Sequence, residues 1–156
     1  MPEDNATGSW ASSPAIRSSM RSNRGRDTAP ELAIRRALHK SGLRYRVDYS
    51  PLGNRRRADI VFTRRRVAIF VDGCFWHGCP QHATLPATNA SYWVPKLQRN
   101  KDRDRETDLE LRANGWTVVR IWEHEDPDVA ALFILDFLDR RETSEAAPLS
   151  FLGPAQ

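Results

Sequence analysis

The sequence predicts an α/β domain in which a mixed central sheet is flanked by helices. Three observations carry that reading. Four short apolar stretches have the length of strands, and three longer stretches carry helical start or stop signals. They follow one another as helix, three strands, helix, strand, helix. A chain of 156 residues is long enough for one domain with a proper core, and length alone argues against two.

Residues 1–14 are rich in Ser, Ala, Pro and Asn and are expected to be disordered. Residues 15–26 carry Arg17, Arg21, Arg24 and Arg26 around the isolated apolar Ile16 and Met20, which suits a basic arm that orders on a partner. Thr28-Ala-Pro-Glu31 opens a helix with a Thr cap, a Pro just inside and an acid three residues on. That helix should run to about Lys40 and stop at Ser41-Gly42. Arg44–Tyr49 alternates like a strand, and Pro51–Asn54 reads as a turn. Ala58–Phe62 and Val67–Val71 are short apolar strands joined by a tight basic turn. Cys79–Asn89 has no periodicity and is expected to be a loop. Tyr92-Trp93-Val-Pro95 leads into a long helix, about Lys96–Ala113, ended by Asn114-Gly115. Trp116–Trp122 is a further strand, and Asp126-Pro127 opens a last helix to about Asp139. The domain thus spans 15–140, and 141–156 reads as a disordered tail. No internal repeat is present.

Lys plus Arg number 24 against 20 Asp plus Glu, a net charge of only +4. The cations are mostly arginines and they cluster, as in Arg55-Arg56-Arg57 and Arg64-Arg65-Arg66. Clustered arginine is the footprint of a phosphate-backbone partner, with a solvated face as the plain alternative. No apolar run approaches the roughly 20 residues that span a bilayer. The first 13 residues lack the basic-then-apolar layout of a secretory signal, which predicts a cytoplasmic protein. A structural disulfide is then not expected, so Cys74 and Cys79, the only cysteines, read as metal ligands or buried thiols.

The densest chemistry lies in Val67–Cys79, where an apolar strand breaks at Asp72-Gly73 into two thiols, two aromatics and an imidazole. Cys74, Cys79, His82 and His124 make a Cys2His2 set for zinc, and Cys79-Pro-Gln-His82 has a short ligand spacing. His77 could replace His82 in that set; His82 is preferred because it leaves His77 to be presented by the loop. His39, near the end of the first helix, suits the helix dipole and carries no chemistry. Asp59 stands in an otherwise apolar strand, and metal ligation is the commonest reason for such an acid. Asp104 lies on a helical stripe with Leu97 and Leu111, either as a functional carboxylate or as an edge residue paired with an arginine. Glu31 shares a face with Ile34 and Leu38, and capping alone would explain it. Phe75 and Trp76 read either as an exposed wedge or as a plug packed against Trp93 or Trp122.

Taken in order, Met20-Arg, Asp27-Thr…Glu31, Ala58-Asp59-Ile-Val, Gly73-Cys-Phe-Trp-His77, Asn100-Lys-Asp-Arg-Asp104, Gly115-Trp and Ile121-Trp-Glu-His124 form a specific string. Over about Ser18–Arg140 the chain resembles the very-short-patch repair (Vsr) DNA mismatch endonucleases. The resemblance implies a restriction-endonuclease-like fold with a structural zinc. It implies a magnesium-dependent nick 5′ of the T in T:G mismatches, which arise from deaminated 5-methylcytosine. The implied partners are mismatched double-stranded DNA, mismatch-repair proteins and a cytosine-5 DNA methyltransferase system, with the enzyme a nucleoid-associated monomer. Asp59 and the carbonyl of Val71 would hold the magnesium. His77 would be the catalytic histidine, Glu31 the glutamate orienting it, and Asp104 the helix carboxylate beside it. Phe75 and Trp76 would enter the base stack, with Met20 of the arm wedging from the other groove and Arg21 and Arg24 on the DNA.

Three features depart from the family pattern. Ala58 replaces a proline before Asp59. Asp72 stands where the best-known members have a histidine, so the acid–base partner or metal shell would differ. In the zinc set, His82 and His124 stand for cysteines and Cys79 for a histidine. Two other readings compete: a zinc-stabilised DNA-binding module without catalysis, which leaves Asp59, Glu31 and His77 unexplained, and a nuclease of the same fold without mismatch specificity.

Overall fold

In the computed structural model, residues 26–85 and 87–143 are described. Helix α1 (Ala29–Lys40) precedes strands β1 (Arg46–Tyr49), β2 (Ala58–Phe62) and β3 (Val67–Asp72), and then come α2 (Ala90–Ala113), β4 (Thr117–Trp122) and α3 (Pro127–Thr143). The expectations for residues 1–14, for the arm residues Met20, Arg21 and Arg24, and for the tail beyond residue 143 lie outside the described residues.

The sheet runs β1-β2-β3-β4. The first two pairings are antiparallel and β3 lies parallel to β4, so α2 is the crossover between them. Alternation along the strands sends side chains to two faces. One face presents Ile60, Phe62, Val67, Ile69, Val119 and Ile121 to α1 and α3, where Ile34, Leu38, Ile134 and Leu138 complete the main core. The other presents Val61, Ala68 and Val118 to Leu111 of α2. The mixed sheet flanked by helices is therefore present.

Boundaries differ where packing overrides local signals. The long helix begins at Ala90 and not near Lys96, and contains Pro95. A proline interrupts the helical ladder, which is why a start beside it was the natural expectation. Trp93, buried against Phe75 and Trp76, holds the additional first turn in place. The last helix continues past Asp139 to Thr143. At the start of α1, Thr28 makes no side-chain capping bond to the backbone. Its hydroxyl donates to Glu31 (2.9 Å), and Glu31 instead accepts the backbone N–H of Asp27 (2.8 Å).

Candidate functional site

On the α2 side of the sheet, the apolar row Val61, Ala68, Val118 gives way to polar residues toward the C-terminal ends of β3 and β4. By the same alternation that side carries Phe70 and Asp72 on β3 and Arg120 on β4, with Phe70 directly opposite Arg120. Helix α2 lays Asp104 and Asp108 over them, seven and three residues before its buried Leu111. The loop after β3 folds back in one turn, His77 N–H to the carbonyl of Gly73 and Cys79 N–H to that of Cys74. Gly78 takes φ +66° there, the left-handed conformation that favours glycine. The result is a cleft of about 1210 Å³ whose walls include Asp59, Asp72, Trp76, His77, Asp104 and Arg120.

His77 Nδ1 lies 2.5 Å from Asp104 Oδ2 and 3.7 Å from Asp72 Oδ1. Burial opposes the charged imidazole, yet the Asp104 hydrogen bond and the two carboxylate charges outweigh it and raise the His77 pKa. Asp104 is lowered: burial works against ionisation, and His77 and Arg120 overcome it. Asp72, only 5% exposed, is raised chiefly by burial despite Arg120. Asp59 accepts the Val71 N–H at 2.7 Å, and burial, with the charges of Glu31 and Asp72, pushes its pKa to about 7. A hard divalent ion beside such a carboxylate would favour the charged form, so this donor fits magnesium.

Glu31 serves the helix start, as the capping reading expected, and not the imidazole, as the resemblance implied. It does not orient His77. It accepts from Asp27, Thr28 and Arg35 (3.2 Å), and those three donors at the helix N-terminus occupy it. Arg35 also donates to the carbonyl of Asp59 at 3.3 Å, so α1 steadies β2 through the arginine. Asp72, whose role the sequence left open, has both its oxygens on Arg120 Nη1, at 2.9 and 3.0 Å. Phe75 and Trp76 are half-buried, not freely exposed. They form a cluster with Trp93, ring centroids 5.1 to 6.0 Å apart, under the Lys96 ammonium. Trp122 lies elsewhere, stacked on His124. Both Phe75 and Trp76 nevertheless line the cleft.

Beside the cleft the Sγ atoms of Cys74 and Cys79 and ring nitrogens of His82 and His124 lie within 4.8 Å of one another. His82 Nδ1 and His124 Nδ1 are 3.2 Å apart, and the four sulfur–nitrogen distances run from 3.1 to 4.0 Å. Tetrahedral zinc with bonds of about 2.0–2.3 Å would set such edges at roughly 3.3–3.8 Å. Glu125 faces the other nitrogen of His124 at 3.4 Å, which orients the ring with Nδ1 toward the cluster. Burial and the neighbouring thiol push Cys74 up to about 12, so a cation is needed for the thiolate. The donor set is compatible with a zinc site. His77 stands apart from it, on Asp104.

Sequence reasoning missed Arg120, Glu123 and Lys96. Arg120 had a signal, a lone charge inside the apolar strand Thr117–Trp122. Glu123 accepts the Cys74 N–H at 2.7 Å and so ties the loop to the end of β4.

Residues 12–82 match the family model described as DNA mismatch endonuclease Vsr. The type II nicking enzyme V.NaeI of Lentzea aerocolonigenes is 49% identical over 126 residues, 79% of this chain and 76% of that protein. The type II nicking enzyme V.XorIIP of Xanthomonas oryzae pv. oryzae is 41% identical, over 72% of this chain and 82% of its own length. The DNA mismatch endonuclease Vsr of Escherichia coli K12 is 38% identical, covering 67% and 66%.

Proposed function

This chain belongs to the Vsr family of DNA endonucleases, and from that premise we propose that it nicks one strand of a T:G-mismatched duplex, 5′ of the T, with magnesium. The observation that carries the reading is the His77–Asp104 pair, set on the same cleft as the partly buried Asp59. Relatives named as nicking enzymes support strand cleavage, and the relative named a mismatch endonuclease supports the choice of substrate. A binding module without catalysis leaves that pair without a purpose.

Asp59 and the Val71 carbonyl would hold the magnesium, which when bound supplies neutralisation of charge at the phosphoryl oxygens. Asp104 fixes the imidazole through Nδ1 and favours its protonated form, so Nε2 is left to hold a proton for the scissile phosphate or departing oxygen. Phe75 and Trp76, at the rim beside His77, would enter the stack at the mismatch. Unstacking costs a few kcal/mol and least where pairing is weak, so the deformation itself selects. The arginines of residues 55–57 line the same cleft and supply backbone attraction. Zinc in the Cys2His2 cluster would hold the loop that carries His77. The mixed sheet with helices on both faces supports a restriction-endonuclease-like fold. A cytosine-5 methyltransferase system would be the source of its mismatches.

The test is nicking of a T:G duplex against the matched C:G duplex with magnesium, by wild type and Asp59→Ala. Preferential nicking of T:G, abolished in the variant, is expected. Equal cutting of both duplexes refutes mismatch specificity, and Asp59→Ala cutting at the wild-type rate refutes the assignment of Asp59.

A further inference from the structure

We infer that Arg120 is the positioning residue of this cleft: it holds Asp72 and the Asp104–Asp108 turn of α2 in the one arrangement that seats His77. The inference rests on the nuclease reading above and deepens it.

Arg120 sits inside an apolar strand, at the point where β4 pairs with Phe70 of β3. Its side chain is about one-fifth exposed, and its planar group lies over the Phe70 ring, 4.6 Å from the centroid. The fork is fully used. Nη1 donates to both oxygens of Asp72, at 2.9 and 3.0 Å. Nε and Nη2 donate to Asp108 at 2.8 to 3.1 Å, and Nη2 is 3.4 Å from the carbonyl of Asp104. One side chain thus joins the end of β3 to two successive turns of α2.

Those two elements carry the two carboxylates that face His77 Nδ1. Asp104 takes the hydrogen bond and Asp72 stands 3.7 Å away. Three carboxylates converge here, and Arg120 is the cation in contact with all of them, Asp104 Oδ1 at 3.8 Å included. Without it Asp72 would face burial and like charge with only the imidazole as partner. Asp72 would then either take up a proton or compete with Asp104 for the imidazole, and either response changes the charge balance that keeps His77 on Asp104. The arginine therefore also accounts for the ionised form of Asp72 at this buried position. With both its oxygens committed to a guanidinium, Asp72 acts as a fixed counter-charge between Arg120 and the imidazole.

A lysine at 120 keeps the charge but has no planar fork, so it cannot hold Asp72 and Asp108 together. The test compares wild type, Arg120→Lys and Asp108→Asn, each with its zinc content and melting curve measured. Asp108→Asn keeps Arg120 and Asp72 and removes one anchor, so the proposal stays testable if Arg120→Lys does not fold. Two further readouts are taken: the downfield imidazole N–H proton of His77 by NMR without DNA or magnesium, identified by its loss in His77→Gln, and single-turnover nicking of a T:G duplex. For Arg120→Lys we expect T:G duplex affinity within about threefold of wild type, a shifted or lost N–H resonance, and nicking slowed on the order of 100-fold. Asp108→Asn should move the same resonance and slow nicking by a smaller factor. An unchanged resonance with wild-type nicking in either folded variant overturns the proposal. If wild type nicks neither duplex, the substrate reading fails, while the resonance still decides the role of Arg120.

Discussion

Replacing Asp59 by Asn should stabilise the magnesium-free protein at alkaline pH while abolishing nicking. Asn preserves the carbonyl oxygen that can accept the Val71 N–H, so the hydrogen bond at 2.7 Å survives and the charge is removed. The folded-state pKa of Asp59, about 7, lies above its ordinary 3.8 because burial disfavours the anion. The folded protein therefore binds this proton more tightly than the unfolded chain does. The associated stability is complete below pH 4 and is lost as pH rises through 7. At about 1.4 kcal/mol per pH unit between the two values, the wild type forfeits up to ~4 kcal/mol by pH 8. Other titrating groups are common to both proteins and cancel in the difference. Thermal melts from pH 4 to 8.5, without added magnesium and without a chelator that would strip the cysteine–histidine cluster, should show curves that coincide near pH 4. They should diverge by on the order of 10 °C in Tm at pH 8, with the variant higher. Added magnesium should narrow that gap by stabilising only the wild type. Parallel curves across the whole range would refute the claim that Asp59 is a desolvated carboxylate awaiting a cation.

Metal analysis of the purified proteins should find zinc lost from His82→Ala and retained in His77→Ala; the reverse would move the ligand assignment to His77. Asp104→Asn should lower the nicking rate about 100-fold or more with DNA affinity changed only a few-fold, read by single-turnover cleavage and anisotropy. Arg55, exposed on the wall of the cleft, should act on the backbone alone: Arg55→Ala should weaken matched and mismatched duplexes alike and reduce the salt slope of binding by about one. Trp76→Ala should cost about 1–3 kcal/mol of affinity for the mismatched duplex, measured by equilibrium titration.

Much of this architecture could be read from local signals. The Thr-Ala-Pro-Glu start, the two apolar runs around a basic turn and the Asn-Gly stop after α2 each encode their element within a few residues. The cysteine and histidine donors were legible as a set because their chemistry is narrow. What was not legible depends on registry between distant strands. Arg120 matters because β4 lies parallel to β3 with Arg120 opposite Phe70, and no local pattern encodes that pairing. Glu31 meets the capping expectation and not the His77 contact that the resemblance implied, for a local reason. Arg35, one turn along the same helix, satisfies it locally before any long-range contact is needed. The early start of α2 follows from the aromatic cluster, a tertiary contact that offsets the cost of Pro95.

The cysteine–histidine cluster also has a topological consequence. His82 and His124 are 42 residues apart in sequence, and most of that interval is the crossover helix and the last strand. A metal bound there staples the chain into a closed ring containing α2, and so containing Asp104. Loop-closure entropy for a ring of this size is worth roughly 4 kcal/mol, about what a long-range disulfide contributes. A zinc-selective chelator acting on this cluster with magnesium in excess, touching neither Asp59 nor His77 directly, would therefore slow cleavage by letting the two banks of the cleft drift apart.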